Sequence, residues 1–407
     1  VAQNLMTTCS KKHTYPPARL NGQATFPGVP GIQREYIECR HLAAQYIYDS
    51  LHNEAGKVDL SHFSSVNQIA QHVKTGGTEA DCEKMLRDAQ EAYLIKTDDL
   101  GKLLKDQFQQ IENESQNGAG VRSLMVTSTN HAMAIRLRVK QHPQDVQKKI
   151  YVVKFYDPNF TDTTVRCEVD NIDKLNTQTL RQYIDGDGQH DPHYQRYFDS
   201  YEDCVMVHVC SRQAPEQSPL QISQGMALTC RYEELSPIVM WHLLRNNLAG
   251  ELVKLFEKFT RLDAARQVKL LAAKSPIKIP GLFIALECGC AEAIRAYGTL
   301  LKQVPEKTLV WHIITLLKAK GPDGTSGLYF ALQNGHAEAI QAYGELLRLV
   351  PEEALAYSLA DMLKVKHKYG VSALDVARRL GHDKAIQAYE AVVDEFCGVA
   401  ANGVSQK

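Results

Sequence analysis

Three side chains able to act together on a peptide carbonyl lie far apart in this chain: Cys39 in GIQREYIECRHLAAQYIYDSL, His131 in NHAMAI and Asp157 in FYDPN. A thiolate is a strong nucleophile, an imidazole takes and returns the proton, and a carboxylate beside that imidazole fixes its tautomer and stabilises its charged form. Gln33 stands six residues before Cys39, a spacing from which an amide can return to donate to an oxyanion beside the nucleophile's own backbone N–H. The chemistry of such a set is acyl transfer through a thioester. Each member also has a structural reading. A buried cysteine is a small hydrophobe, a strand histidine can be a satisfied core group, and Asp-Pro-Asn is an ordinary turn.

The elements that would have to assemble the set can be read from periodicity. In the run HAMAIRLRV, residues His131, Met133, Ile135, Leu137 and Val139 share one face of a strand while Arg136, Arg138 and Lys140 share the other. The same alternation in KIYVVKFYD puts Asp157 with Tyr151, Val153 and Phe155, just past the strand end, where Pro158 closes the run. If the two strands form a hairpin turning at QHPQD, the start of one lies beside the end of the other, and His131 meets Asp157. Leu42, Ala43, Tyr46, Ile47 and Leu51 form a helical apolar stripe, which puts Cys39 in the first turns of a helix, where the dipole favours thiolate.

Around these segments the chain has two kinds of pattern. Residues 31–115 read as helices: IECRHLAAQYIYDSL, SSVNQIAQHVK stopped by Gly76, TEADCEKMLRDAQEAYL capped by Thr78, and DDLGKLLKDQFQQI capped by Asp98. From residue 121 the runs LMVTS, HAMAIRLRV, KIYVVKFY, TVRCEV and CVMVHVC alternate like strands of an antiparallel sheet. Helices followed by sheet make an α+β domain. The polar stretch SRQAPEQSPLQISQG then marks a linker over 211–225.

Beyond the linker the chain repeats. GLFIALECGCAEAIRAYGTLL (281–301) and GLYFALQNGHAEAIQAYGELL (327–347) agree at 14 of 21 positions and stand 46 residues apart. A third copy, ALDVARRLGHDKAIQAYEAVV, follows, and WHLLRNNLAGELVKLFEKF (241–259) reads as a degenerate first copy, as a capping repeat would. The unit looks ankyrin-like. The ankyrin period is about 33 residues, so the excess predicts a longer or third helix in TLVWHIITLLK and ALAYSLADMLK. His336 and His382 fall in the turns, where backbone bonding is their expected role.

Composition narrows the functional classes. Lys+Arg 46 against Asp+Glu 47 gives a formal charge of −1, which offers no general field for nucleic acid or an anionic membrane. No run is long and apolar enough to span a bilayer, and the first thirty residues lack the apolar core of a secretory signal. The first residue is Val rather than Met, so an address ahead of it is a possibility the sequence leaves open. Ten cysteines without a CxxC pair and fifteen histidines without ligand spacing predict neither a disulfide framework nor a metal or other cofactor.

The NHAMAI and FYDPN pair resembles the His and Asp blocks of bacterial effector cysteine proteases of the papain-like clan, including the YopT-type enzymes. The order of a Cys/His/Asp domain followed by degenerate ankyrin-like repeats is most similar to the type III-secreted enterotoxin-like effectors of enteric bacteria, the EspL and OspD type, over nearly the whole chain. That resemblance implies an extended or disordered segment 1–30, an α+β papain-like protease domain 31–210, an all-α ankyrin-like repeat domain 226–397 and a tail 398–407. It implies a protease delivered into the host-cell cytoplasm, cutting host signalling proteins that carry the RHIM motif and so blocking necroptosis and inflammatory signalling. Cys39, His131 and Asp157 would be the triad, and Gln33 carries over from the general papain-like pattern. The repeats would bind the protein substrate. The same triad also serves glutamine deamidases, transglutaminases and some acyltransferases, and a third reading makes the repeats a non-catalytic adaptor.

Overall fold

The computed structural model describes residues 17–28, 30–32, 34–53, 56–73, 79–89, 91–114, 120–185, 194–198, 203–210, 229–230 and 235–404. Gly76, Thr78 and the expected linker 211–225 lie outside these residues. The chain divides into two units, Val1–Tyr232 and Glu233–Lys407.

In the first unit, helices α1 (Cys39–His52), α2 (Val66–His72) and α3 (Glu79–Arg87) precede strand β1 (Glu91–Lys96) and helix α4 (Leu100–Glu114). Strands β2 (Val121–Thr127), β3 (Ala132–His142), β4 (Asp145–Tyr156) and β5 (Val165–Val169) follow, then short helices α5 (Leu180–Asp185) and α6 (Tyr194–Tyr197), and strands β6 (Cys204–Cys210) and β7 (Thr229–Cys230). Among the described residues they make one sheet in the order β5-β4-β3-β2-β6-β1-β7. All pairings are antiparallel except β1 with β7. Strand alternation sends Met133, Ile135, Leu137, Val153 and Phe155 into a core beneath α4, while Ala132, Ala134 and Tyr156 face a second core built on α1. The sheet is therefore covered by helices on both faces.

The helix expected to run through Leu94 ends instead at Arg87, and EAYLIK is a strand. Glu, Ala and Leu are good helix formers, but Ala92, Tyr93, Leu94 and Ile95 are all buried in the sheet between β6 and β7, and that pairing overrides local propensity. The order is thus not strictly helices before sheet. Asp98 does not cap α4; it lies inside a one-turn 3-10 helix, Thr97–Asp99, that leads into it.

The second unit is helical, and its period is written into the backbone. Gly289, Gly335 and Gly381, each 46 residues after the last, take φ of +72°, +79° and +73° at the turn between paired helices. The turn bridges Lys274–Pro280, Lys320–Ser326 and Lys366–Ser372 recur at the same interval. The Tyr297, Tyr343 and Tyr389 hydroxyls recur likewise, donating to the carbonyls of Leu271, Leu317 and Leu363 at 2.7–2.8 Å. Glu306–Lys318 and Glu352–Met362 are the extra helices that lengthen each unit beyond an ankyrin repeat. The degenerate first copy folds as three short helices, Pro237–Arg245, Ala249–Lys254 and Phe256–Thr260. The backbone amides of His336 and His382 donate to Ala331 and Ala377, while each ring lies over the glycine of the preceding unit. A Cβ on Gly335 would stand 2.7 Å from His382 Nδ1.

The chain's two tryptophans, Trp241 and Trp311, both belong to this unit, so their fluorescence reports its unfolding alone. Gly370, at φ +83°, has open space around it, and Gly370→Ala should cost only the left-handed penalty of about 1–2 kcal/mol. Gly335→Ala adds the clash with His382, so its denaturant midpoint should fall further. Equal shifts would show that the histidine yields freely.

Candidate active site

Cys39 is the first residue of α1, with Glu38 as N-cap. The first N–H groups of a helix have no intrahelical acceptor, so the thiol is carried at an end rich in donors. That end is fixed from both sides: the Glu38 N–H donates to His41 Nδ1 at 3.1 Å, and His41 Nε2 faces Glu35 Oε1 at 3.3 Å. Cys39 is half-buried, whereas the six other cysteines whose burial is described are fully enclosed.

His131 stands one residue before β3, in a turn closed by Ser128 N–H to His131 O at 2.9 Å and His131 N–H to Ser128 Oγ at 3.1 Å. Asp157 stands one residue after β4 and opens a turn in which Pro158 holds the second position, closed by Phe160 N–H to Asp157 O at 2.9 Å. The β3–β4 hairpin, turning between His142 and Asp145, brings the two together. His131 Nε2 lies 2.8 Å from Asp157 Oδ1, with both groups buried. That bond leaves the ring's Nδ1 for the thiol, and His131 is the chief of the groups that lower the Cys39 thiol. Because His131 precedes the paired part of β3, strand parity does not bind it. Its ring stacks on Tyr197, which belongs to the core under α4, while it reaches a cysteine packed against the core under α1. The site therefore lies at the end of the sheet, where its two faces meet.

Burial alone pushes the Cys39 thiol up, but the His131 charge and hydrogen bond, the Ala132 backbone donor and Arg40 outweigh it and leave the thiol below its ordinary range. For His131, burial pulls down, and the Cys39 and Asp157 charges and hydrogen bonds raise it to about 10. The two shifts describe one thiolate–imidazolium pair. Between the depressed value of Cys39 and about 10 for His131, both charges are present.

Asp157 is held by more than the histidine. The Asn159 N–H donates to Oδ1 at 3.0 Å and the Tyr197 hydroxyl donates to Oδ2 at 3.1 Å. Asn159 Nδ2 donates to the Tyr197 oxygen, and Asn21 Nδ2 to Asn159 Oδ1 at 2.8 Å. The Tyr197 ring lies over His131, with centroids 4.1 Å apart and planes 18° from parallel. Sequence reasoning brought Cys39, His131 and Asp157 forward, and these three meet. Gln33 lies outside the described residues. Asn159 was read only as part of the Asp-Pro-Asn turn, and nothing in the periodicity around the four-residue helix α6 marked Tyr197.

The sequence model for the family described as ShET2 enterotoxin, N-terminal region, matches residues 6–275. The chain belongs to this enterotoxin family. Among curated relatives, it is similar to Ankyrin repeat protein A of Escherichia coli (strain K12), 26% identical over 284 residues, which is 70% of this chain and 37% of the relative. It is also similar to Effector protease OspD3 of Shigella flexneri, 29% identical over 276 residues, 65% of this chain and 44% of that protein. The chain thus spans 37% and 44% of the lengths of these two relatives, and its match to the enterotoxin family bears out the resemblance read from the sequence.

A thiol held as thiolate reacts with iodoacetamide below the pH at which ordinary cysteines do. Peptide mapping after labelling at pH 6 should find Cys39 modified first, ahead of Cys210, whose thiol burial pushes up to about 12. In His131→Ala the Cys39 rate at pH 6 should fall by about tenfold for each unit that its pKa recovers. Retained reactivity in that variant would remove the ion pair.

Proposed function

We propose that this chain is a cysteine endopeptidase. The Cys39 thiolate attacks the carbonyl carbon of a peptide bond, and the oxyanion is held by the Cys39 N–H together with the Gln33 amide. His131, charged at this point, gives its proton to the leaving amine nitrogen as the carbon–nitrogen bond breaks, leaving a thioester on Cys39. Neutral His131 then takes a proton from water, the hydroxide displaces the sulfur, and the ion pair is restored. Asp157 keeps the imidazole in the orientation and tautomer that both steps need. The observation that carries this reading is the meeting of a half-buried helix-terminal thiol, the His131 ring and the His131–Asp157 bond at the end of the sheet. The name of the Shigella relative, an effector protease, supports the same reaction.

The chain order Cys, His, Asp, with the thiol on a helix and its partners on neighbouring strands, is that of papain-like enzymes, and we place the first unit in that class. The EspL and OspD resemblance extends the proposal to delivery into the host-cell cytoplasm and to RHIM-containing signalling proteins as substrates. The repeats then act as the substrate-binding part. In their support, Trp311 and Tyr357, one repeat period apart on successive third helices, are 82% and 80% exposed. Large aromatics presented in register suit protein recognition.

Cys39→Ala should leave the melting temperature nearly unchanged and lower cleavage of a protein substrate by at least ~10³-fold. Asp157→Asn should cost roughly 10²–10⁴-fold in kcat. Intact-mass analysis reads the reaction: two fragments support proteolysis, whereas an uncut substrate one mass unit heavier would reassign the chain as a deamidase. Replacing Trp311 and Tyr357 together by Ala should raise KM for a protein substrate and leave a short peptide unaffected; parallel losses on both would deny the repeats a binding role.

A further inference from the structure

The end of α1 opposite Cys39 carries a second cluster, unrelated to the proposed triad. Asp49 is buried in the last turns of that helix, His62 lies in a one-turn 3-10 helix (Leu60–Phe63), and His72 is the last residue of α2. His72 Nε2 stands 2.6 Å from Asp49 Oδ2, while Asp49 Oδ1 accepts from Gln45 Nε2 at 2.9 Å. An imidazole–carboxylate pair alone would be an ordinary tie between two helices. What the tie leaves unexplained is His62. Its ring lies on that of His72 with centroids 4.0 Å apart, so that one ligand atom from each of Asp49, His62 and His72 falls within 4.8 Å of the other two.

We propose that Asp49, His62 and His72 form a site for a divalent transition-metal ion of the zinc class. Two imidazoles and one carboxylate are a borderline donor set: the nitrogens select zinc-like ions over magnesium or calcium, which prefer all-oxygen shells. The side chains of Asp49, His72 and His62 are 9%, 23% and 41% exposed, so the cluster is rooted in the protein yet open on the His62 side, where solvent completes a tetrahedron. An outer carboxylate is also in place. Asp59 Oδ2 is 3.9 Å from His62 Nε2, and Asp59 is itself fixed by accepting the Ser61 N–H and hydroxyl on Oδ1. At 3.9 Å the pair is an ion-pair contact short of a hydrogen bond; its closing when an ion binds would leave Nδ1 as the His62 donor and let the carboxylate orient the metal-bound imidazole. The edge of Phe63 against His72 closes the inner side. Such an ion would extend the Asp49–His72 tie into a joint of three elements, the end of α1, the turn at 60–63 and the end of α2.

The test uses the full chain carrying Cys39→Ala, so that a thiolate–imidazole pair of Cys39 and His131 cannot itself take the metal. After chelator treatment, titration with Zn²⁺ alone, followed by calorimetry, should show one ion bound and a rise in melting temperature that Mg²⁺ at the same concentration does not produce. Co²⁺ should give the visible absorption of a four-coordinate site. His62→Ala, a substitution at a partly exposed side chain, should weaken binding by at least ~10-fold while leaving the melting temperature of the metal-free chain in place. Asp59→Asn should weaken it less. Absence of stoichiometric zinc binding, or the same affinity in His62→Ala, would overturn the site and leave the Asp49–His72 pair as a structural tie.

Discussion

The bond between His131 and Asp157 is the point at which the register of the sheet becomes chemistry. Each residue lies one step beyond its strand, and they meet only because β3 and β4 are paired so that Ala134 faces Tyr156. A slip of one residue would turn alternate side chains to the opposite face and separate the pair. The register is held by burial: Met133, Ile135 and Leu137 fill one core, Ala132 and Ala134 the other, and the first set could not change places with the alanines, Arg136 and Arg138 of the opposite face at tolerable cost. Around that fixed bond the remaining polar groups have determinate roles. Asn159 and Tyr197 saturate Asp157, the Tyr197 ring restricts the imidazole, and the N-terminus of α1 brings the thiol to the ring's free edge.

Local pattern and long-range pairing divided the work of specifying this arrangement. Strands β2 to β6 alternate plainly, and the hairpin that joins His131 to Asp157 follows from two consecutive strand runs and one turn sequence, so the centre of the site was legible. Strand β1 was not, because EAYLIK contains good helix formers and its extended state is decided by β6, more than a hundred residues later. Tyr197 was hidden for a different reason. Its four-residue helix carries no period, and its importance comes from where the chain returns, not from neighbours in sequence. The Asp49, His62 and His72 cluster is invisible to spacing rules because its three members come from three elements.

The repeat unit shows the opposite balance. A 46-residue identity in sequence became a 46-residue identity in backbone sign, turn bridge and tyrosine bond, since every unit solves the same packing problem against its neighbour. The histidine of one turn fills the space that the absent Cβ of the previous glycine leaves. Glycine and histidine thus specify each other across units, and the pair reads in sequence as a turn signal when it is also a stacking signal.

The place of β1 in the sheet has a consequence for how the first unit is made. It is synthesised before every other strand, yet it lies between β6 and β7, which come from residues 204–230. Until that part of the chain has left the ribosome, four consecutive apolar positions of β1 have no partner, and β2 also lacks the neighbour on one of its edges. The nascent polypeptide must carry an uncovered sheet edge while the more than one hundred residues between β1 and β6 are made, so the sheet of this unit closes late.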